Sequence, residues 1–228
     1  MRINENISLV ADSLALVPYR SVLGWSRRSA SSGLSLLSRK EHVAQYHQWL
    51  SDPVLQKQTA SEGLTLEEEY AMQQAWHLDE DSTPTAVHYM ARSSALLELT
   101  FIILARPGDV PCGDVNLFLS TGDEDPDAVA GARRAECEVM IAEIAYRRRG
   151  LARLALNLIM RFAHANLGPL AFFCRIGVVN APSLALFESL GFTRYKVVEV
   201  FQEVELRLDD FRSLPDVHYE TIQLPTST

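Results

Sequence analysis

Apolar and polar positions follow two rhythms along this chain, and the switch between them divides it into a front part and a strand-rich remainder. Residues 14–18 (Leu-Ala-Leu-Val-Pro) read as a first strand. From Val22 to Arg39 the order dissolves into Ser, Arg and Leu, which suits a surface loop or a frayed helix. Val43, Tyr46, His47 and Leu50 return at helical spacing, predicting a helix over 41–50 that Pro53 closes. Thr65 followed by Glu68 forms a capping-box pattern and opens a predicted helix through Trp76. Residues 82–98 fit neither rhythm and read as an inserted loop.

Beyond that point short apolar runs dominate. Strands are predicted over 99–104, closed by Pro107-Gly108, over 114–119, closed by the acidic stretch 122–127, and over 136–142. Leu151, Leu154, Ala155, Leu158, Ile159 and Phe162 then repeat with helical period, predicting a helix over 151–167 that Gly168-Pro169 stops. A strand over 171–177 follows, then a short helix capped by Asn180 and ended by Gly191, then strands over 192–200 and 201–208. The segment after Leu214 reads as a loose tail. Strand, helix, strand, helix and strand in succession imply an α/β fold with a partly parallel sheet.

Composition narrows the classes. At 228 residues the chain suits one well-buried domain, and no internal repeat suggests a solenoid or propeller. No stretch approaches the roughly 18 uncharged apolar residues of a membrane helix. Glu5 and Asp12, with no long apolar run beside them, argue against a secretory or mitochondrial presequence. Cys112, Cys137 and Cys174 are odd in number and lack metal spacing, so they read as buried thiols in a reducing, cytoplasmic or nuclear, compartment. The six histidines show no i, i+4 pair and no Cys partner, so no metal is expected. A net charge of −8 argues against nucleic-acid or anionic-membrane partners. A phosphate-bearing ligand would have to meet a local basic spot.

One such spot stands out. Arg147-Arg148-Arg149-Gly150-Leu151-Ala152 joins the strand at 136–142 to the long helix. Small residues at 150 and 152 let backbone amides approach a ligand. The helix start supplies unpaired N–H donors and the positive end of a dipole, and three arginines add charge. Together these suit a pyrophosphate. The same residues also suit a solvated basic turn, and alone they do not decide. The Lys-Ser/Thr pair of a nucleotide-hydrolysing P-loop and the G-x-G-x-x-G of dinucleotide folds are both missing.

A second motif lies one strand downstream: Asn180, Ser183, Phe187, Gly191 and Phe192. With Arg147, Gly150 and Ala152 it resembles the GNAT acetyltransferase superfamily. That superfamily carries R/Q-x-x-G-x-G/A at the head of its central helix, then N-x-x-(S/A)-x-x-x-(Y/F)-x-x-x-G-F. A closer resemblance, to the N-acetyltransferase 9-like family, covers most of the chain. It rests on Met1-Arg-Ile-Asn-Glu-Asn6, Leu16-Val-Pro-Tyr19, Tyr46-His47, Leu64-Thr-Leu-Glu-Glu-Glu-Tyr70, Gly113-Asp-Val-Asn-Leu-Phe118 and Glu138-Val-Met-Ile-Ala-Glu143. Against that family roughly residues 21–38 and 84–98 look extra, and loop closure costs grow slowly enough for a fold to absorb them. The resemblance implies one GNAT domain over 1–214 and a tail over 215–228. It implies a mixed, mostly antiparallel sheet of about six to seven strands with helices on both faces.

The resemblance also implies roles. Acetyl-CoA would be the acetyl donor and a protein or peptide amine the acceptor. Val139, Met140 and Ile141 would hold the pantetheine arm where their strand splays from its neighbour. Arg147, Arg148, Arg149, Gly150, Leu151 and Ala152 would bind the pyrophosphate. Asn180 reads as an N-cap and, by resemblance, also as a contact of the cofactor or its sulfur. Glu136 and Glu138 share one strand face with Met140. Glu136 matches a carboxylate of related N-terminal acetyltransferases, so it is the expected general base, against the plainer reading of two solvated glutamates. Many GNAT enzymes place a Tyr general acid where this chain has Phe187, which cannot donate a proton. Ser183 or water would then assist the leaving thiolate. The competing readings are a catalytically weak module acting through CoA and protein binding, and an acetyltransferase of small amines.

Overall fold

In a computed structural model, residues 3–4, 6–19, 39–59, 68, 97–121, 133–208 and 210–224 are described. Nine strands form one sheet: β1 (Ile7–Val10), β2 (Leu14–Pro18), β3 (Leu97–Ala105), β4 (Val110–Thr121), β5 (Arg133–Ile141), β6 (Ala171–Gly177), β7 (Phe192–Val198), β8 (Glu203–Leu208) and β9 (Glu220–Gln223). Their spatial order is β7-β8-β6-β5-β4-β3-β2-β1-β9. Every neighbouring pair is antiparallel except β5–β6. The described helices are α1 (Arg39–Leu50), α2 (Pro53–Thr59), α3 (Leu151–Leu167) and α4 (Ala181–Glu188).

The pleat sorts the apolar residues into two layers. On one face Leu99, Phe101, Ile103, Val115, Leu117, Ala135 and Cys137 pack under α3, which buries Leu151, Ala155, Leu158, Ile159 and Phe162. On the other face Ala15, Val17, Ile102 and Leu104 meet Tyr46 of α1. Further along that face Trp49 and Leu50 of α1 and Leu55 of α2 close over Met140 and Ala142. Where both faces of β3 are covered, from Phe101 to Ala105, its sequence is a continuous apolar run, whereas Leu97, Glu98, Leu99 and Thr100 alternate.

The helix over 151–167 and the strand over 171–177 occur with the bounds their periodicity predicts. Pro53 does stop α1, and it also opens α2, since proline at a first helical position forfeits no bond. Apart from Glu68, which is helical, the expected helix over 65–76 lies outside the described residues, as do the segments 21–38 and 84–96, whereas Leu97 and Glu98, read as loop, begin β3.

The sheet has nine strands where six to seven were expected. One unforeseen strand is β1, four residues long with Ser8 fully buried. The other is β9, which corrects the reading of a loose tail: Glu220–Gln223 pairs with β1 along its whole length. The route to β9 is fastened to α3. Asn157 Nδ2 donates to the Pro215 carbonyl at 2.7 Å, and Arg161 Nη2 donates to the Leu214 and Pro215 carbonyls, each at 2.9 Å. These are single side-chain bonds from a distant helix, so local patterning carries no sign of them.

Candidate active site

The turn that joins β5 to α3 is built around the head of the helix. A single 3₁₀ turn, Ile144–Tyr146, follows β5, and Gly150 then takes the N-cap position at φ 80°. No side chain caps α3, and no acidic residue occupies its first turn. The amide of Leu154 is the first to bond back, to the Gly150 carbonyl at 3.1 Å. The amides of Leu151, Ala152 and Arg153 therefore precede the first intrahelical bond and keep their donors for another acceptor. A Cβ added to Gly150 would meet nothing within 4 Å, so the space above this turn is open. An uncapped, positive helix start facing open space fits a pyrophosphate.

The three arginines divide. Arg147 folds back: its Nε donates to the Ile141 carbonyl at 2.8 Å and its Nη2 to the Ala142 carbonyl at 3.0 Å. It ties the turn to the end of β5. Arg148 and Arg149 are exposed, Arg149 lying 5.2 Å from the Tyr146 ring centroid.

β5 and β6 separate beside this turn. Their parallel pairing covers Arg134, Ala135 and Glu136 against Ala171, Phe172 and Phe173, and stops. From Cys137 to Ile141, β5 remains paired with β4 alone, while β6 continues to Gly177 against β8. Val139 and Ile141 thus sit on a strand whose edge toward β6 is open, their side chains half-buried toward the α3 layer, and Met140 is buried under α1 and α2. β4 approaches closely there: a Cβ on Gly113 would fall 1.9 Å from the Met140 carbonyl oxygen, so only glycine fits.

Beyond the splay, Asn180 caps α4, its Oδ1 accepting from the Ser183 amide at 3.3 Å. Ser183 is half-buried. Phe187 is buried and packs edge-on to Phe192 at 5.0 Å, a core contact. Glu136, the last β5 residue paired with β6, accepts from Arg175 Nη1 at 3.0 Å. Arg134, Arg175, Lys196 and Arg207 converge within 4 Å on the buried carboxylate of Glu205.

One carboxylate escaped sequence reasoning. Asp114 of β4 is buried on the α1 side, where Asn116 Nδ2 (3.0 Å) and the Tyr46 hydroxyl (3.3 Å) both donate to its Oδ2. Among the described residues its Oδ1 has no hydrogen-bond partner. Burial pushes the carboxyl up to about 6, against the smaller downward pull of the Asn116 and Tyr46 bonds. The available signal was alternation: Val115, Leu117 and Leu119 claim the α3 face, so Asp114 and Asn116 must point to the other covered one. Close by, Glu143 accepts from Trp49 Nε1 at 2.7 Å and Gln45 Nε2 at 3.1 Å, pinning α1 to the end of β5. Cys112, Cys137 and Cys174 are buried free thiols, and burial raises all three, Cys112 to about 12.

A splayed parallel pair beside an uncapped helix head is the arrangement of one class of acyltransferase. The acetyltransferase (GNAT) domain family matches residues 34–193, and the chain belongs to that family. It is an acetyl-CoA-dependent N-acetyltransferase. A spermidine N-acetyltransferase from Vibrio cholerae, solved with CoA and spermine, shares the fold at TM-score 0.54 and 18% identity over 75% of this chain and 89% of that one. Within the superfamily the chain belongs to the N-acetyltransferase 9 family. It is 39% identical to the alpha/beta-tubulin-N-acetyltransferase 9 of Mus musculus over 91% of this chain and 73% of that protein. It is 36% identical to the N-acetyltransferase 9-like protein of Nematostella vectensis over 92% and 89%.

Proposed function

We propose that the enzyme moves the acetyl group of acetyl-CoA to an amine of a protein acceptor, and that this acceptor is tubulin. The acceptor reading is supported by the relatives of 37–39% identity named for alpha/beta-tubulin. The donor reading rests on the open, uncapped head of α3 beside the free edge of β5.

On this reading the amides of Leu151 and Ala152, with Gly150, receive the pyrophosphate, and Arg148 and Arg149 screen its charge. Arg147 acts indirectly, holding the turn against β5. Val139, Met140 and Ile141 offer backbone groups of the open edge to the pantetheine arm, which lays the thioester along the splay. Asn180, at the head of α4, is the expected contact of the cofactor or its sulfur. Placing amine and thioester together supplies much of the acceleration. The amine must attack neutral, so a carboxylate on this side of the sheet takes its proton. Glu136 is the carboxylate expected from the sequence; its bond to Arg175 equips it to anchor the root of the splay. Phe187 donates nothing, and a thiol of ordinary acidity, with a pKa of about 8.5, leaves as thiolate with Ser183 or water at hand.

Calorimetry with CoA, followed by acetyl transfer from acetyl-CoA to purified tubulin, tests the proposal. CoA should bind in the micromolar range and tubulin should gain acetyl groups. CoA binding with no transfer to tubulin or a peptide panel would leave a binding module. Absence of CoA binding would remove the donor reading.

A further inference from the structure

We propose that Asp114 is the proton acceptor for the incoming amine, acting from an acidic face that β3, β4 and β5 form beneath α1. The proposal rests on the acetyl-transfer reading above and adds the residue that activates the acceptor.

The register sets this face out. Asp114 lies beside Met140 and Ile102, Asn116 beside Glu138 and Thr100, and Phe118 beside Glu136 and Glu98. Four carboxylates, Glu98, Asp114, Glu136 and Glu138, thus share one side of three neighbouring strands. Tyr46 of α1 covers Asp114, and Glu138 is exposed, so the face is open on the Glu138 side. Such a surface draws in a cationic ammonium group.

Within the cluster only Asp114 is both buried and incompletely bonded. The residue is 3% exposed, both of its side-chain donors serve Oδ2, and Oδ1 is left without a partner. A buried acceptor without a partner costs free energy, so Oδ1 is ready to take a proton or a donor. Glu136, by contrast, already accepts from Arg175. Glu98 accepts from the Thr100 hydroxyl at 2.7 Å. Asp114 stands one strand in from the free edge of β5, so it exchanges its proton with an amine at that edge through water and not by direct contact.

R–NH₃⁺ gives one proton to the Asp114 carboxylate, and the freed nitrogen lone pair attacks the thioester carbonyl carbon. The tetrahedral intermediate collapses by breaking the C–S bond. The second amine proton passes to the departing thiolate, and Asp114 returns its proton to water.

Among the described residues the groups on the face around Asp114 are Tyr46 from α1, Glu98 from β3, Asn116 on its own strand and Glu136 and Glu138 from β5, so Asp114 is the carboxylate whose protonation is expected to gate the reaction near neutrality. The test measures kcat/KM against pH from 5 to 9 with a tubulin N-terminal peptide, for wild type, Asp114→Asn and Glu136→Ala. Wild type should lose activity as pH falls through about 6. Asp114→Asn should lose at least about 100-fold in kcat, with that acid limb gone and the CoA Kd unchanged. Glu136→Ala should keep the limb. The proposal is overturned if Asp114→Asn stays within a few-fold of wild type or keeps the limb, or if Glu136→Ala abolishes it. Should Asp114→Asn not fold, Tyr46→Phe decides. Loss of its hydroxyl must move the limb to higher pH, and an unmoved limb overturns the proposal. Wild type that binds CoA yet acetylates no amine defeats the transfer reading itself, which is a different result from an active wild type with an indifferent Asp114.

Discussion

Gly150 and Asp114 are the single residues on which the proposed site rests, and each carries a cost to the fold. Gly150 holds a left-handed turn that other residues enter at about 1–2 kcal/mol, and it faces open space. A glutamate there keeps the fold, with Tm lower by roughly 2–8 °C. Its carboxylate meets the pyrophosphate in the space the turn leaves open. We expect Gly150→Glu to abolish the heat of CoA binding while the circular dichroism spectrum is retained; undiminished affinity would move the cradle elsewhere.

Asp114 bears a different burden. Its folded carboxyl titrates at about 6 instead of 3.8, so the folded state prefers the protonated form. That preference stabilises fully below pH 3.8 and is lost as pH rises through about 6. Ionised at neutral pH, the buried group costs on the order of 2–3 kcal/mol. Asp114→Asn is therefore expected to unfold at a higher urea concentration than wild type at pH 7.5, with the difference closing by pH 4. A variant less stable at pH 7.5 would show that the charge supports the fold.

At the scale of elements, α3 has two tasks. Its head presents the amides of Leu151 and Ala152, and its middle, through Asn157 and Arg161, holds the segment that leads to β9. Hydrogen bonds from a charged donor contribute about 1.5–3 kcal/mol each. Arg161→Ala should then free β9: amides of 220–223 should exchange markedly faster, while those of β4 and β5 stay protected. Unchanged protection of β9 would mean that pairing with β1 suffices alone.

Legibility also varied by element. The helix over 151–167 could be read to the residue because six apolar positions repeat with its period and Gly168 ends it. The turn proposed as the cradle could be placed at the head of the helix for a similar reason, since its residues are contiguous. The splay was not legible in composition or spacing: nothing local tells Glu136 that it is the last residue to pair with β6, and only resemblance suggested it. Arg147 shows the same limit. Its charge could be read, but its choice of the Ile141 and Ala142 carbonyls depends on how the turn closes.

At the scale of the whole molecule, the proposed site lies where the one parallel pair among the described strands interrupts an otherwise antiparallel sheet. A βαβ crossover through α3 is what makes β5 and β6 parallel, and it also delivers the helix head to the point where they part. Charge is partitioned around that point. Glu98, Asp114, Glu136 and Glu138 line the α1 side of β3 to β5, and Arg134, Arg175, Lys196 and Arg207 gather on Glu205 across β5 to β8. The net charge of −8 therefore hides two local fields of opposite sign, and neither was visible in the total.

The pairing of Ile7 with Gln223 brings the first and last described strands side by side at one rim of the sheet. That rim lies five strand spacings, about 24 Å, from β5. A short peptide bridge could splice these ends together and new termini be opened elsewhere without crossing the donor groove. Tags or dyes hung from this rim would report on the enzyme while leaving its chemistry undisturbed.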